Sequence, residues 1–319
     1  MKKKIRKILK TLNTYIMQSV ESKIHWTKLR ANQWRDRAVF VLVISVIGLS
    51  LPDLYLFADP LSLILVFVPT LLTAEILERL YKLPFNVTLL TLAIPMGMVG
   101  SAIGLVTVFS VFNSIEVNVQ TVSSATSILL LTAFFGLILC VIGHLLSKDD
   151  DSSFAIASMG IKTFISLIFV NFGFIFWIIF SSGNPIMFLS LKPLLLAFGL
   201  TASFQLSRNK EKGFSENAAD ASLAVIVISI MIGLIMLYSN FGSDQNYQYM
   251  HKDRFTELAN YANYGLLYGC SLYIFSFLLS LYTNEFYKIN FKLKNWHLVE
   301  AFSFYVFMTL AAPSLFEIV

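Results

Sequence analysis

The sequence predicts an all-α, polytopic integral membrane protein with eight or nine transmembrane helices. Three observations carry that expectation. Of 319 residues, 56% are hydrophobic and only 13% charged, and the mean hydropathy is +0.71. A soluble chain has nearer a quarter of its residues charged, and could not hide this much apolar surface. Apolar runs about twenty residues long recur along the chain, each able to cross a hydrocarbon core of roughly 30 Å at 1.5 Å per residue. Basic residues gather at the start: eleven of the 24 Lys and Arg precede Ala38. Beside a first spanning helix such charges orient the chain and attract anionic lipid, so the net charge of +5 points to a membrane surface rather than to nucleic acid.

Residues 1–37 form a basic cytoplasmic segment, too long and too charged for an ordinary signal peptide. Within it, Ile5, Ile8, Leu9, Leu12, Ile16, Val20, Ile24 and Trp26 fit either an amphipathic helix on the membrane surface or a partly ordered tail. The first spanning helix is read at 38–57, a turn at Phe57–Pro60, and the second helix at 61–79. Two further runs follow: 87–112, VTLLTLAIPMGMVGSAIGLVTVFSVF, and 126–146, TSILLLTAFFGLILCVIGHLL, joined by the polar loop 113–120. Neither contains Lys, Arg, Asp or Glu. SKDDDSS at 147–153 marks the middle of the protein. Helices at 161–181, 187–206, 219–238 and 261–283 come next, separated by SSGNP, by the charged loop 207–217 and by a polar loop ending at Leu258. A basic connection precedes a last apolar run, 298–316, expected to break at Pro313.

Loop charges orient the chain. With the N-terminus in the cytoplasm, Arg79, Lys82, Lys148, Lys162, Arg208, Lys210, Lys212, Lys288, Lys292 and Lys294 are cytoplasmic, and only Lys192, Lys252 and Arg254 lie opposite. The expected location is therefore the cell membrane, the inner one in a Gram-negative bacterium.

The two halves share an outline, which predicts a tandem parallel repeat of a four-helix unit. The expected divisions are 1–37, a first unit at 38–147, a linker at 148–160, a second unit at 161–285, and a basic connection with a C-terminal apolar helix at 286–319. MVGSAIGLVTVFSVFNS in the first half stands where VISIMIGLIMLYSNFGS stands in the second, matching Gly104-Leu105 to Gly233-Leu234.

Candidate functional residues are few. Gly97, Gly100 and Gly104 share one helix face, with Ser101 beside them; Gly100 and Gly104 form a GxxxG step that admits a close neighbour. The face serves either tight packing or a pore or subunit contact. Thr132 offers a hydroxyl to a pore, or bonds the preceding turn of its own helix. Glu75 and Glu78 lie near Arg79, and His144 near its helix end, all within reach of headgroups. Asp220 is read as a capping carboxylate opening its helix. No acid falls at convincing mid-depth. His251, Asp253 and Arg254 form a polar cluster in the loop before the helix at 261–283. Asn171, Asn184 and Asn263 are the available lining for a polar cavity. Cys140 and Cys270 sit in apolar runs, without disulfide or metal spacing. There is no P-loop, HExxH, GxSxG or Cys-x-x-Cys, so neither an enzyme nor a cofactor is expected.

Several of these residues resemble the MotA/TolQ/ExbB family of proton-channel subunits. FADPLSLILVFVPTLL at 57–72 is similar to the family's opening of its second helix. Pro95, Gly97, Gly100, Ser101 and Gly104 look like its third helix, and Leu131, Thr132, Ala133 and Gly136 like its fourth. Gly233, Asn240 and Gly269 keep part of the pattern, while Ser222 stands at the proline position and Gly265 and Leu266 at the threonines. The chain departs from the family in doubling the unit and in shortening the loop after the second helix to about ten residues. The resemblance implies a homo-oligomeric collar around a single-helix partner that carries a proton-binding Asp. Pro95, Gly97, Gly100, Ser101, Gly104, Thr132 and Gly136 are then pore or helix-contact residues. The alternatives are a multi-pass transporter of a lipid or glycan intermediate, and a non-catalytic membrane component of a larger complex. Membrane lipids are partners in every case.

Overall fold

The computed structural model describes residues 38, 41–46, 59–112, 119–147, 159–181, 184–207, 213–241 and 252–316. The chain divides into two units, one ending at Leu54 and one running from Tyr55 to Val319. In the first, residues 41–46 are helical. The remainder of the expected 38–57 helix and the 5–30 segment lie outside the described residues.

Among its described residues the second unit has eight α-helices and two short 3₁₀ turns and no strand. The helices are α1 (Pro60–Tyr81), α2 (Phe85–Phe112), α3 (Val119–Leu145), α4 (Ile161–Ser181), α5 (Leu191–Leu206), α6 (Phe214–Phe241), α7 (Lys252–Tyr282) and α8 (Phe291–Phe316). Pro60–Tyr81, Phe85–Phe109, Ile161–Ser181, Phe214–Met236 and Asn260–Tyr282 are long and apolar enough to cross a bilayer. Leu129–Leu145 and Leu191–Leu206 are apolar but shorter. The chain is thus an all-α, multi-pass membrane protein.

Local chemistry sets the boundaries. Asp59 caps α1 by accepting the Ser62 backbone N–H at 3.0 Å, and Pro60 occupies the first turn, where its missing N–H costs nothing. Lys82 ends α1 in the left-handed region at φ 60°, and the adjacent Leu83 N–H returns to Leu77 O at 3.3 Å. At the end of α7 the same turn is made by Asn284 at φ 58°.

Five helix starts differ from expectation, and α3 is one, beginning at Val119 rather than at 126. The 3₁₀ turn Pro185–Phe188 stands apart from α5, which starts only at Leu191. Helix α6 starts at Phe214, inside the expected charged loop, because its cap comes from far along the chain. The Ser215 N–H donates to Glu285 Oε2 at 3.0 Å, and the Ser215 hydroxyl donates to the same oxygen. Helix α7 starts at Lys252, so residues 252–258 of the expected polar loop are helical: low hydropathy ends a membrane span but not a helix, and Glu, Leu and Ala are good helix formers. Helix α8 starts at Phe291 and continues through Pro313 to Phe316, instead of starting at 298 and breaking.

Helix α2 is the central post. Residues 91–106 are buried without interruption, and the helix packs on α1, α3, α7 and α8. A helix apolar on every side belongs inside such a cluster. The closest helix pairs are α2 with α3 and α6 with α7, and α2 meets α7 between them. The reciprocal pair, α3 with α6, forms no such interface among the described residues. Large apolar side chains, including Phe169, Phe176 and Phe180 of α4 and Leu195 and Phe198 of α5, remain exposed, as lipid-facing surface does. Trp177 and Trp296 are exposed toward the ends of α4 and α8, the level at which indole rings favour a membrane interface.

Candidate functional site

The glycine residues singled out in the sequence meet at the crossing of α2 and α3. A Cβ on Gly97 would lie 2.8 Å from Thr132 O and 3.2 Å from the Cα of Gly136. One on Gly136 would lie 2.7 Å from Ala93 O. One on Gly100 would meet Thr132 Cβ at 2.7 Å and Leu65 Cδ2 at 2.8 Å. The two backbones therefore touch only because these residues lack side chains. Ser101 stitches the seam: its hydroxyl bonds Gly97 O at 3.0 Å and Leu129 O at 2.9 Å, and lies 3.3 Å from Thr132 Oγ1. Thr132 also donates to Leu129 O at 3.3 Å, and both hydroxyl residues are fully buried. Pro95 and Gly104 are buried in α2 as well.

A matching seam joins α6 and α7. A Cβ on Gly269 would lie 3.0 Å from Ser222 O, and one on Gly233 would lie 2.7 Å from the Cβ of Ala262. At the middle the chemistry is exchanged. In the first seam Thr132 of the second helix sits over Gly100 of the first; in the second seam Ser229 of the first helix sits over Gly265 of the second. One constant register relates Gly100 to Ser229 and Gly104 to Gly233, and another relates Thr132 to Gly265 and Gly136 to Gly269.

A third feature lies between α6 and α8. A groove of about 550 Å³, open along one side, is lined by Leu223, Val227, Ile230 and Met231 of α6 and by Ala301 and Phe304 of α8, with His297 and Glu300 also in its wall. His297 Nδ1 lies 3.2 Å from Glu300 Oε2, and both side chains are more than half exposed. One helical turn beyond, Lys294 of α8 is ion-paired with Asp220 of α6, both largely shielded. Asp220 therefore does not cap a helix start as expected: α6 has run for nearly two turns before reaching it. The sequence reading missed this row. Its signal was the spacing of Lys294, His297 and Glu300 at three-residue intervals, which places them on one helix face.

The polar residues proposed for a cavity are engaged in packing. Asn171, fully buried on α4, donates to Thr73 Oγ1 of α1 at 2.9 Å and to Leu167 O at 2.8 Å. Asn263 accepts from Tyr305 of α8 at 2.5 Å and donates to Asn260 at 3.2 Å. Asn184 caps the 3₁₀ turn through the Ile186 N–H at 3.2 Å. Cys270 is buried against Met98, their sulfurs 4.0 Å apart. Glu75 pairs with Arg79 one turn along α1. His251 lies outside the described residues. Among the described residues no group of three His, Cys, Asp or Glu side chains is placed to hold a metal ion.

The fold defines a polytopic membrane protein, and it is consistent with a transport or structural role. No protein-family model matches the chain, and no curated protein or solved structure matches it either.

Proposed function

We propose that this protein binds a membrane lipid in the groove between α6 and α8 and handles it as a multi-pass transporter does. The observation that carries this reading is the groove itself. Its volume of about 550 Å³ falls in the range of ligand sites, roughly 300–1,000 Å³. Its walls are apolar along most of their length, and its ionisable groups gather toward the end where α6 and α8 begin. That is the layout an amphiphile needs, with the chain along the groove and the headgroup at one end. The groove opens sideways, where a bilayer supplies such molecules. Loop charges support placing the headgroup end at the cytoplasmic face. The two matched seams support a tandem repeat of a four-helix unit, and the run at 38–57 supports eight or nine crossings. The reading assigns the protein no catalytic step.

The test is native mass spectrometry of the protein released from nanodiscs. Wild type retains lipid, and Met231→Trp, which fills the groove, loses it. Equal retention by both proteins would reject the groove as the site.

The competing reading is a proton-conducting subunit around a single-helix partner. It needs Gly100 and Thr132 to face another chain, and both are buried between α2 and α3. The mass of the extracted complex separates the two readings. A ring that co-purifies with a one-helix protein bearing a membrane-depth Asp, and a proton flux reduced by Thr132→Ala, would replace the lipid reading.

A further inference from the structure

From the charges at its mouth, and resting on the groove being a lipid site, we infer that the α6–α8 groove selects a zwitterionic phospholipid with a primary ammonium headgroup. Four ionisable residues border that end: Asp220 on α6, and Lys294, His297 and Glu300 on α8. Lys294 and Asp220 neutralise each other and are shielded, with side-chain exposures of 14% and 19%. His297 and Glu300 touch each other but stand 53% and 59% exposed on a wall that is otherwise apolar. A carboxylate so placed in a membrane protein calls for a cationic partner. Glu300 lies six residues deeper along α8 than Lys294, a rise of about 9 Å.

The row therefore offers one exposed point of charge: Glu300 provides an acceptor for an ammonium group. With two acids, Asp220 and Glu300, beside Lys294 and His297, the mouth carries no surplus of positive charge, so an anionic lipid gains little there. A primary ammonium donates up to three hydrogen bonds to carboxylate oxygens, whereas a quaternary ammonium donates none. The chemistry thus favours ethanolamine over both glycerol and choline headgroups.

The experiment uses the full chain in nanodiscs holding equal parts of phosphatidylethanolamine, phosphatidylglycerol and phosphatidylcholine of identical acyl chains. Lipids that stay bound after release are counted by native mass spectrometry. Wild type is expected to enrich phosphatidylethanolamine about tenfold over each competitor, the factor carried by one charge-assisted hydrogen bond. Glu300→Gln is expected to keep lipid while bringing the three headgroups near parity. Retention without headgroup preference in wild type, a preference for phosphatidylglycerol, or an unchanged preference in Glu300→Gln would each overturn the headgroup assignment and leave the groove standing. Absence of retained lipid in wild type, with no effect of Met231→Trp, would overturn the groove reading and this inference with it. Wild type alone decides the preference, so the test survives a variant that fails to fold.

Discussion

Gly97 and Gly136 face each other across the α2–α3 crossing, and a Cβ on either would stand 3.2 Å from the other's Cα. The contact is backbone against backbone, so no side-chain rotation relieves an added methyl group. Gly97→Ala is expected to destabilise the protein by about 2 kcal/mol, the scale of overpacking a tight interior. Gly173→Ala and Gly199→Ala are the controls, because nothing lies within 4 Å of either Cβ position. They should be neutral or gain up to about 1 kcal/mol of helix propensity. Thermal unfolding in detergent reads all three, and equal behaviour would refute the seam as a close contact.

The two serines of the paired seams should part company. Ser101 bonds Leu129 O across the α2–α3 interface, so Ser101→Ala is expected to cost about 1 kcal/mol. The hydroxyl of Ser229 is buried with no hydrogen-bond partner. Ser229→Ala is therefore expected to be neutral or slightly stabilising, since it removes an unsatisfied polar atom from the interior. Unfolding midpoints compared in one lipid mixture check the sign of each change.

Breaking the ion pair of Lys294 and Asp220 one partner at a time should be worse than removing both. Lys294→Met removes the cationic partner of the largely shielded Asp220 carboxylate, at a cost of up to about 3 kcal/mol. Lys294→Met with Asp220→Asn should recover part of that loss. A double-mutant cycle on thermal stability measures the coupling, and purely additive losses would contradict it.

Glu285 gives the protein an acid-sensitive joint. Burial opposes its charge, but hydrogen bonds from the Ser215 hydroxyl, the Ser215 N–H, Thr283 and the Phe214 backbone outweigh that effect and hold its pKa below the ordinary carboxylate value. A depressed folded-state pKa means stability that is complete above the unfolded value, about 4.3, and lost as pH falls through the lower folded one. Unfolding scans below about pH 5 should show wild type losing stability faster than Glu285→Gln, which lacks this group's titration. Parallel curves would show that the Ser215 cap does not depend on the carboxylate charge.

Hydropathy made the membrane class and most helix cores legible, because a run such as Ile161–Ser181 has few other physical outcomes. Small-residue spacing likewise brought out Gly97, Gly100 and Gly104, whereas Thr132 stood out as a hydroxyl within an apolar run and Gly136 only through the family resemblance. What stayed hidden came from distant parts of the chain. The start of α6 depends on Glu285, which lies 70 residues beyond Ser215. The role of Asp220 depends on Lys294, 74 residues away, and local reading took that acid for a helix cap. The α6–α8 groove belongs to two helices that are not consecutive, so no window along the sequence contains both walls. The polar first turns of α7 were hidden for another reason: the hydropathy that marks a membrane span says nothing about where a helix starts.

The central position of α2 has a consequence for biosynthesis. Its Leu90 and Thr91 carbonyls accept from Asn295 of α8, which is translated 204 to 205 residues later. At roughly 5–20 residues per second, a ribosome needs about 10–40 s to reach that asparagine. Throughout that interval the face of α2 that receives α8 waits in the bilayer or at the insertion machinery without that neighbour. A nascent chain stalled before α8 emerges therefore exposes this surface to whatever membrane chaperone attends it, and the helix inserted early is among the last to be enclosed.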